Sequence, residues 1–264
     1  MSAAAGFGLI VIGDEILSGK RRDGHFQEVV AMLAERGLEL AWSRFISDDP
    51  RLITRTLAET LAGPDVVFSC GGIGATPDDR TRQCAAEAAG RELAVHPHGE
   101  RELEARFGRP VEPPERLRLV TFPEGSEIIP NPVNRIPGFS LREHYFVPGF
   151  PKMAWPMIEW VLDNHYRDRQ APDAAREVAI NVPEARESHV IPLMEAFETA
   201  HPELRLSCLP AAEAGRHDLE LGLRGTPDAV AAGLRDLIAR VEGLGFDWHY
   251  AAIERAARPS RSED

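Results

Sequence analysis

The sequence predicts a three-layer α/β/α fold with a mostly parallel sheet, followed by a small α+β domain, and three observations lead to it. The apolar runs Gly8-Leu9-Ile10-Val11-Ile12 and Val66-Val67-Phe68 are short and uninterrupted, as expected of strands buried on both faces. Segments with helical spacing lie between such runs, and β-α-β-α-β with short connections implies parallel strands and right-handed crossovers. Beyond about residue 175 the pattern changes to β-α-β-β-α.

The first strand, 8–12, ends in Gly13-Asp14-Glu15, which places two carboxylates at its carboxyl edge. Phe26, Val29, Val30, Leu33 and Ala34 recur at helical spacing, and Gly37 closes that helix. A strand is expected over 38–46. Ser47-Asp48-Asp49-Pro50 then caps a helix reaching about Leu61, with Pro50 in its first turn. Gly63-Pro64-Asp65 turns into the third strand, and Arg82 to Ala89 reads as the helix after it. His96-Pro97-His98 is expected in a solvated loop because no third ligand lies nearby, and a helix is expected over 99–107. Short elements at 116–120, 127–129, 139–141 and 145–147 are separated by turns rich in Pro, Gly and Asn, and a helix over 151–165 completes a domain spanning 7–167.

The second domain, 175–245, is expected to hold strands at 177–182, 204–209 and 217–223 and helices at 187–200 and 227–241. Asp218, Glu220 and Arg224 alternate with Leu219, Leu221 and Leu223, the mark of a strand with one solvated face. It carries no glycine loop and no nucleophile beside a base, so it is expected to serve packing or dimerisation, making a homodimer or another homo-oligomer the expected state. The tail 251–264 is expected to be mobile.

At 264 residues and 43% hydrophobic content the chain can bury one sizeable core and a smaller one. Its net charge of -12 argues against a nucleic-acid or anionic-membrane partner, since no surplus of cations is available to replace phosphate counterions. Cys70, Cys84 and Cys208 are widely spaced, with no CxxC, as expected of buried free thiols in a reducing compartment. With neither a signal-like N-terminus nor an apolar run of membrane length, a soluble cytoplasmic protein is expected.

The stretch around which the chain is organised is Cys70-Gly71-Gly72-Ile73-Gly74-Ala75-Thr76-Pro77-Asp78-Asp79-Arg80-Thr81. A buried strand ending in glycines and followed by a helix presents backbone N–H groups at the sheet edge where open parallel sheets bind ligands. Such a loop suits phosphate. Asp78 and Asp79 would repel that phosphate unless a cation lay between, so the stretch reads as a phosphate site with a divalent metal.

The ordered motifs Ile12-Gly13-Asp14-Glu15-Ile16-Leu17-Ser18-Gly19, the glycine stretch, Phe122-Pro123-Glu124-Gly125, Asn131-Pro132-Val133, Pro137-Gly138-Phe139 and Pro148-Gly149-Phe150-Pro151 together resemble the molybdopterin-binding-like (MoaB/Mog) domain family. The similarity is to the branch shared by CinA-type proteins and the N-terminal domain of eukaryotic FAD synthase, and it covers residues 8–165. The second domain looks like the KH-type domain that follows in CinA-type proteins. The amidohydrolase domain that ends many of those has no counterpart here, so deamidation of nicotinamide mononucleotide is not expected.

The resemblance implies either molybdopterin binding or metal-dependent cleavage of a pyrophosphate such as ADP-ribose or FAD. On that basis Gly71, Gly72, Gly74, Thr76 and Thr81 form the phosphate segment, and Asp79 and Asp48 are the catalytic carboxylates. Asp79 and Asp14 are the metal ligands. Glu15, Lys20, Arg135 and Gly149 complete the ligand contacts. Hard oxygen donors suit magnesium or manganese, and the family adds cobalt. A non-catalytic binder of a pterin or nucleotide is the alternative.

Four positions depart from the family pattern: Ala75 in the glycine stretch, His25 after Asp23-Gly24, Asn134-Arg135 before the Pro-Gly-Phe turn, and Phe150. His25 is expected as a partly exposed helix-start residue, with a general-base role as the alternative.

Overall fold

The central sheet of the computed structural model has six strands, and Phe7–Ile12 and Val66–Cys70 within it are buried on both faces. The structure describes residues 5–171, 176–210 and 218–251. Among these the first unit contains β1 (Phe7–Ile12), α1 (Asp14–Leu17), α2 (His25–Glu35), β2 (Leu40–Ile46), α3 (Pro50–Leu61), β3 (Val66–Cys70), α4 (Thr81–Ala89), β4 (Leu93–Val95), α5 (Pro97–Phe107), β5 (Thr121–Pro123), β6 (Glu127–Ile129), β7 (Gly138–Leu141), β8 (His144–Val147) and α6 (Pro151–His165). A 3-10 helix spans Pro114–Val120.

The strand order is β2-β1-β3-β8-β7-β6. The first four strands run parallel and β7 is antiparallel to both of its neighbours, so the sheet is mixed. Alternation along the strands sends side chains into two cores. Phe7, Leu9 and Val11 of β1 and Phe68 of β3 meet Val29, Met32 and Leu33 of α2 and Met157, Val161 and Leu162 of α6 on one side. Ile10, Ile12 and Val67 meet Ile53 and Leu57 of α3, Ala85 of α4 and Leu103 of α5 on the other. These are the three expected layers. Within the second core Phe122, Phe139 and Phe146 form a stack, with ring centroids 4.7 and 4.4 Å apart.

Several local expectations are corrected. β2 begins at Leu40, because Leu38 instead closes the preceding helix with its N–H on the Leu33 carbonyl at 2.8 Å. His96 belongs to no solvated loop: its Nδ1 accepts from the Gly99 amide at 3.2 Å, capping α5, and its Nε2 donates to the Ser126 carbonyl at 3.1 Å. β4 and β5, an antiparallel ribbon, were not expected from the sequence.

Among the described residues the molecule divides into two compact units between Gln170 and Ala171. The second unit contains β9 (Arg176–Val182), α7 (Glu187–Ala200), β10 (Arg205–Pro210), β11 (Leu219–Gly225), α8 (Pro227–Gly243) and β12 (His249–Tyr250). Its antiparallel sheet has the order β10-β11-β9-β12, so the expected β-α-β-β-α pattern gains a final edge strand. Leu219, Leu221 and Leu223 are buried with Phe197 of α7 and Leu237 of α8. His217, expected to open β11, and the tail from residue 252 lie outside the described residues. Cys70 and Cys84 are buried free thiols, whereas Cys208 is only half-buried. Among the described residues no helix is long and apolar enough to cross a membrane.

Candidate functional site

Parallel register aligns the ends of four strands. Ile12 pairs with Ile46, Val11 with Cys70, and Cys70 with Val147. The segments that follow them, Gly13-Asp14-Glu15, Asp48, the glycine stretch and Pro148-Gly149, therefore share one carboxyl edge.

The glycines are required by close approach. Gly71 has φ 112° and Gly72 φ 69°, a region that side chains disfavour. A Cβ on Gly71 would overlap the Ile12 carbonyl oxygen, one on Gly72 the Thr81 hydroxyl, and one on Gly74 the Asp79 carboxylate. A Cβ on Gly149 would stand 3.4 Å from the Gly71 Cα, so two turns pack backbone to backbone.

Three of the loop's carbonyls are held by the first turn of α4. Thr81 Oγ1 donates to the Gly71 carbonyl at 3.0 Å, and the Thr81 amide donates to that of Gly72 at 3.0 Å. The Arg82 guanidinium donates to the Gly74 carbonyl. These peptides are trans, and in a trans peptide C=O and N–H point in opposite directions. Fixing those carbonyls on α4 therefore turns the amides of Gly72, Ile73 and Ala75 away from it. Among the described residues these three amides have no hydrogen-bond acceptor. They are donors suited to an anion.

Carboxylates share the sheet edge with this donor set. The Asp14 amide donates to Asp48 Oδ2 at 2.9 Å, and the Asp48 amide reaches back to Asp14 Oδ1 at 3.4 Å. Burial pushes the Asp48 carboxyl above its ordinary range; the bond from Asp14 opposes this, and the negative charges of Asp14, Glu15 and Asp78 add to it. Asp79 is built into the loop, where its Oδ2 accepts from the Thr76 amide at 3.1 Å and from the Thr76 hydroxyl. Among the described residues no three His, Cys, Asp or Glu side chains are grouped so as to hold a metal ion.

The basic residues are dispersed. Lys20 is exposed in the connection after α1. Arg135 lies in the connection between β6 and β7, where its Nε bonds Glu102 Oε2 at 3.1 Å. There it lines a separate cavity of about 770 Å³ with His98, Glu102, Glu127 and Trp160. The structure thus gathers Asp14, Glu15, Asp48, Asp79, Gly71, Gly72, Gly74, Thr76, Thr81 and Gly149 at one edge, and it pairs Arg135 with Glu102.

Residues 8–167 match the family described as probable molybdopterin binding domain. The chain belongs to that family. Among this family's curated relatives, the CinA-like protein of Geobacter metallireducens is 31% identical over 207 residues, covering 75% of this chain and 50% of the relative. The CinA-like protein of Anaeromyxobacter dehalogenans is 32% identical over 198 residues, covering 71% and 48%. The chain thus spans about half the length of the curated relatives it matches. A solved structure described as protein CinA of unknown function, from Thermoplasma acidophilum, is 25% identical with a TM-score of 0.56, covering 61% of this chain and 98% of that one.

Two residues of this molybdopterin-binding-type domain gain a role that sequence reading missed. His25 is 3% exposed rather than partly exposed, because α6 and the Gly149 turn close over it, and its Nε2 meets the Gly149 carbonyl at 3.1 Å. Burial lowers its pKa, which favours a neutral ring donating from Nε2. Arg82 is also 3% exposed. A cation in the first turn of a helix opposes the helix dipole, and that was the available signal for it.

Proposed function

We propose that the first unit binds the pyrophosphate of a nucleotide such as ADP-ribose or FAD and hydrolyses it with the help of a divalent metal. The observation that carries this reading is the set of three outward amides, Gly72, Ile73 and Ala75, at the same sheet edge as the paired carboxylates Asp14 and Asp48. Magnesium-like ions are commonly held by one or two carboxylates together with substrate phosphates, so a pair of hard oxygen donors fits such an ion only when substrate shares it. Asp14 and Asp48 would hold it. The ion would supply charge neutralisation and a more acidic bound water.

The chain's own residues do the rest. The loop amides fix the phosphate oxygens and stabilise charge that develops on them. Asp79 keeps the loop in shape through Thr76. Asp48, held by the Asp14 amide, would keep the ion beside the bound phosphate.

The second reading is a non-catalytic site for a pterin or nucleotide. It is favoured by the engagement of Asp79 within the loop and by the lack of a three-ligand cluster among the described residues. A time course with ADP-ribose, FAD and NAD, each with magnesium, manganese or cobalt, decides between them, with Asp48→Asn as control. AMP formed by the wild type and lost in the variant supports hydrolysis. Binding without product in every combination supports the second reading.

A further inference from the structure

Beneath the glycine loop lies a positive charge that the protein itself compensates poorly. Arg82 is 3% exposed, and among the described residues its hydrogen bond to the loop is to the Gly74 carbonyl. Its Nε is buried and has no hydrogen-bond partner among the described residues. Desolvation lowers the pKa of this guanidinium; Asp79 acts in the opposite direction, and the nearby Arg118 adds like charge. Asp79 is itself engaged by the amide and hydroxyl of Thr76. Buried charge is unfavourable unless it is paired and hydrogen-bonded, and a guanidinium has five N–H donors to satisfy.

We propose that Arg82 is the fixed countercharge of the anion site, so that the loop captures a phosphate group before any metal is present. The inference rests on the loop being the phosphate site. Two independent features converge on one ligand chemistry. The outward amides of Gly72, Ile73 and Ala75 supply directed donors on one side of the loop. Arg82, on the side of α4, supplies a full positive charge at short range through low-dielectric protein, where it is weakly screened. Arg82 acts as a positioning residue. By holding the Gly74 carbonyl it aims the Ala75 amide, and its field favours an anion over a neutral group at the same donors. The site therefore divides into an anion half, made by the loop and Arg82, and a cation half at Asp14 and Asp48.

The test uses the full chain and inorganic pyrophosphate in EDTA, read by calorimetric titration and by the ligand-induced rise in Tm. The wild type is expected to bind without metal. Arg82→Gln is expected to lose about tenfold in affinity, with Arg82→Lys recovering part of that loss because charge returns without the Gly74 bond. Asp79→Asn retains acceptors for Thr76 while removing the charge that opposes Arg82, so it is expected to tighten metal-free binding about threefold. Should Arg82→Gln fail to fold, the Asp79→Asn result still decides. Pyrophosphate affinity unchanged in Arg82→Gln, or weakened in Asp79→Asn, overturns the countercharge role. Wild-type binding that requires magnesium overturns it as well while leaving the phosphate site standing. No binding with or without magnesium removes the phosphate site itself.

Discussion

The buried ring of His25 donates from Nε2 to the Gly149 carbonyl at 3.1 Å, and Gly149 in turn packs against Gly71. One imidazole at the start of α2 thus holds the turn after β8 against the glycine loop after β3. His25→Leu keeps the volume roughly constant and removes the donor. The expected loss is about 1 kcal/mol in urea unfolding, typical of a single hydrogen bond. Weaker pyrophosphate binding is expected with it, because the turn that backs Gly71 is released; unchanged affinity would separate His25 from the site.

Acid should destabilise the first unit earlier than carboxylate titration alone would. Burial lowers the pKa of His25, and it lowers that of His144, with help from Arg142, from 6.5 to about 4. A group whose native pKa lies below its unfolded value stabilises the native state fully above the unfolded pKa, and that contribution is lost as pH falls through the interval between them. The window here runs from about 6.5 down to about 4. A shift of this size corresponds to roughly 3 kcal/mol for His144. Tm measured between pH 7.5 and 4 should fall across that window, and His144→Gln should flatten the fall.

Asp48→Asn should raise stability at neutral pH while abolishing hydrolysis. The native carboxyl has a raised pKa, so its contribution is favourable while protonated and is lost as pH rises through the native value. At pH 7 the ionised form is the unfavourable one, and the amide removes that strain. After allowance for solvent screening of a half-buried group, the gain is about 0.5 kcal/mol. A destabilised Asp48→Asn in thermal unfolding would show that the contacts with Asp14 outweigh repulsion.

Gly72→Ala tests the loop geometry. The φ of 69° costs a side-chain residue about 1 kcal/mol, and the added Cβ must also displace the Thr81 hydroxyl that holds the Gly71 carbonyl. Total destabilisation of about 2–3 kcal/mol is expected from the strain and the lost bond together. Pyrophosphate binding should disappear even at temperatures where circular dichroism shows the variant folded.

Much of the fold was legible because its signals are local. The unbroken apolar run of β1, the spacing of Val29 and Leu33 in α2 and Pro50 at the start of α3 each report on near neighbours, as does the glycine stretch that announces a tight approach. The carboxylates at the ends of β1 and β2 were readable for the same reason, since parallel strands bring their carboxyl ends to one edge. β4 was not read because Leu93, Ala94 and Val95 are all exposed and show no buried-face alternation.

The sequence by itself determined the three-layer architecture, the start of a second unit with one buried strand face, and the glycine loop as the place where a ligand would meet bare backbone. Tertiary structure alone decided the antiparallel insertion of β7, the burial of His25 beneath Gly149, the placement of Arg82 under the loop and the pairing of Arg135 with Glu102. Apolar spacing and turn chemistry act over a few residues of chain. Burial, pKa and charge compensation depend on which distant segments close over a side chain, and those neighbours exist only once the sheet order has formed.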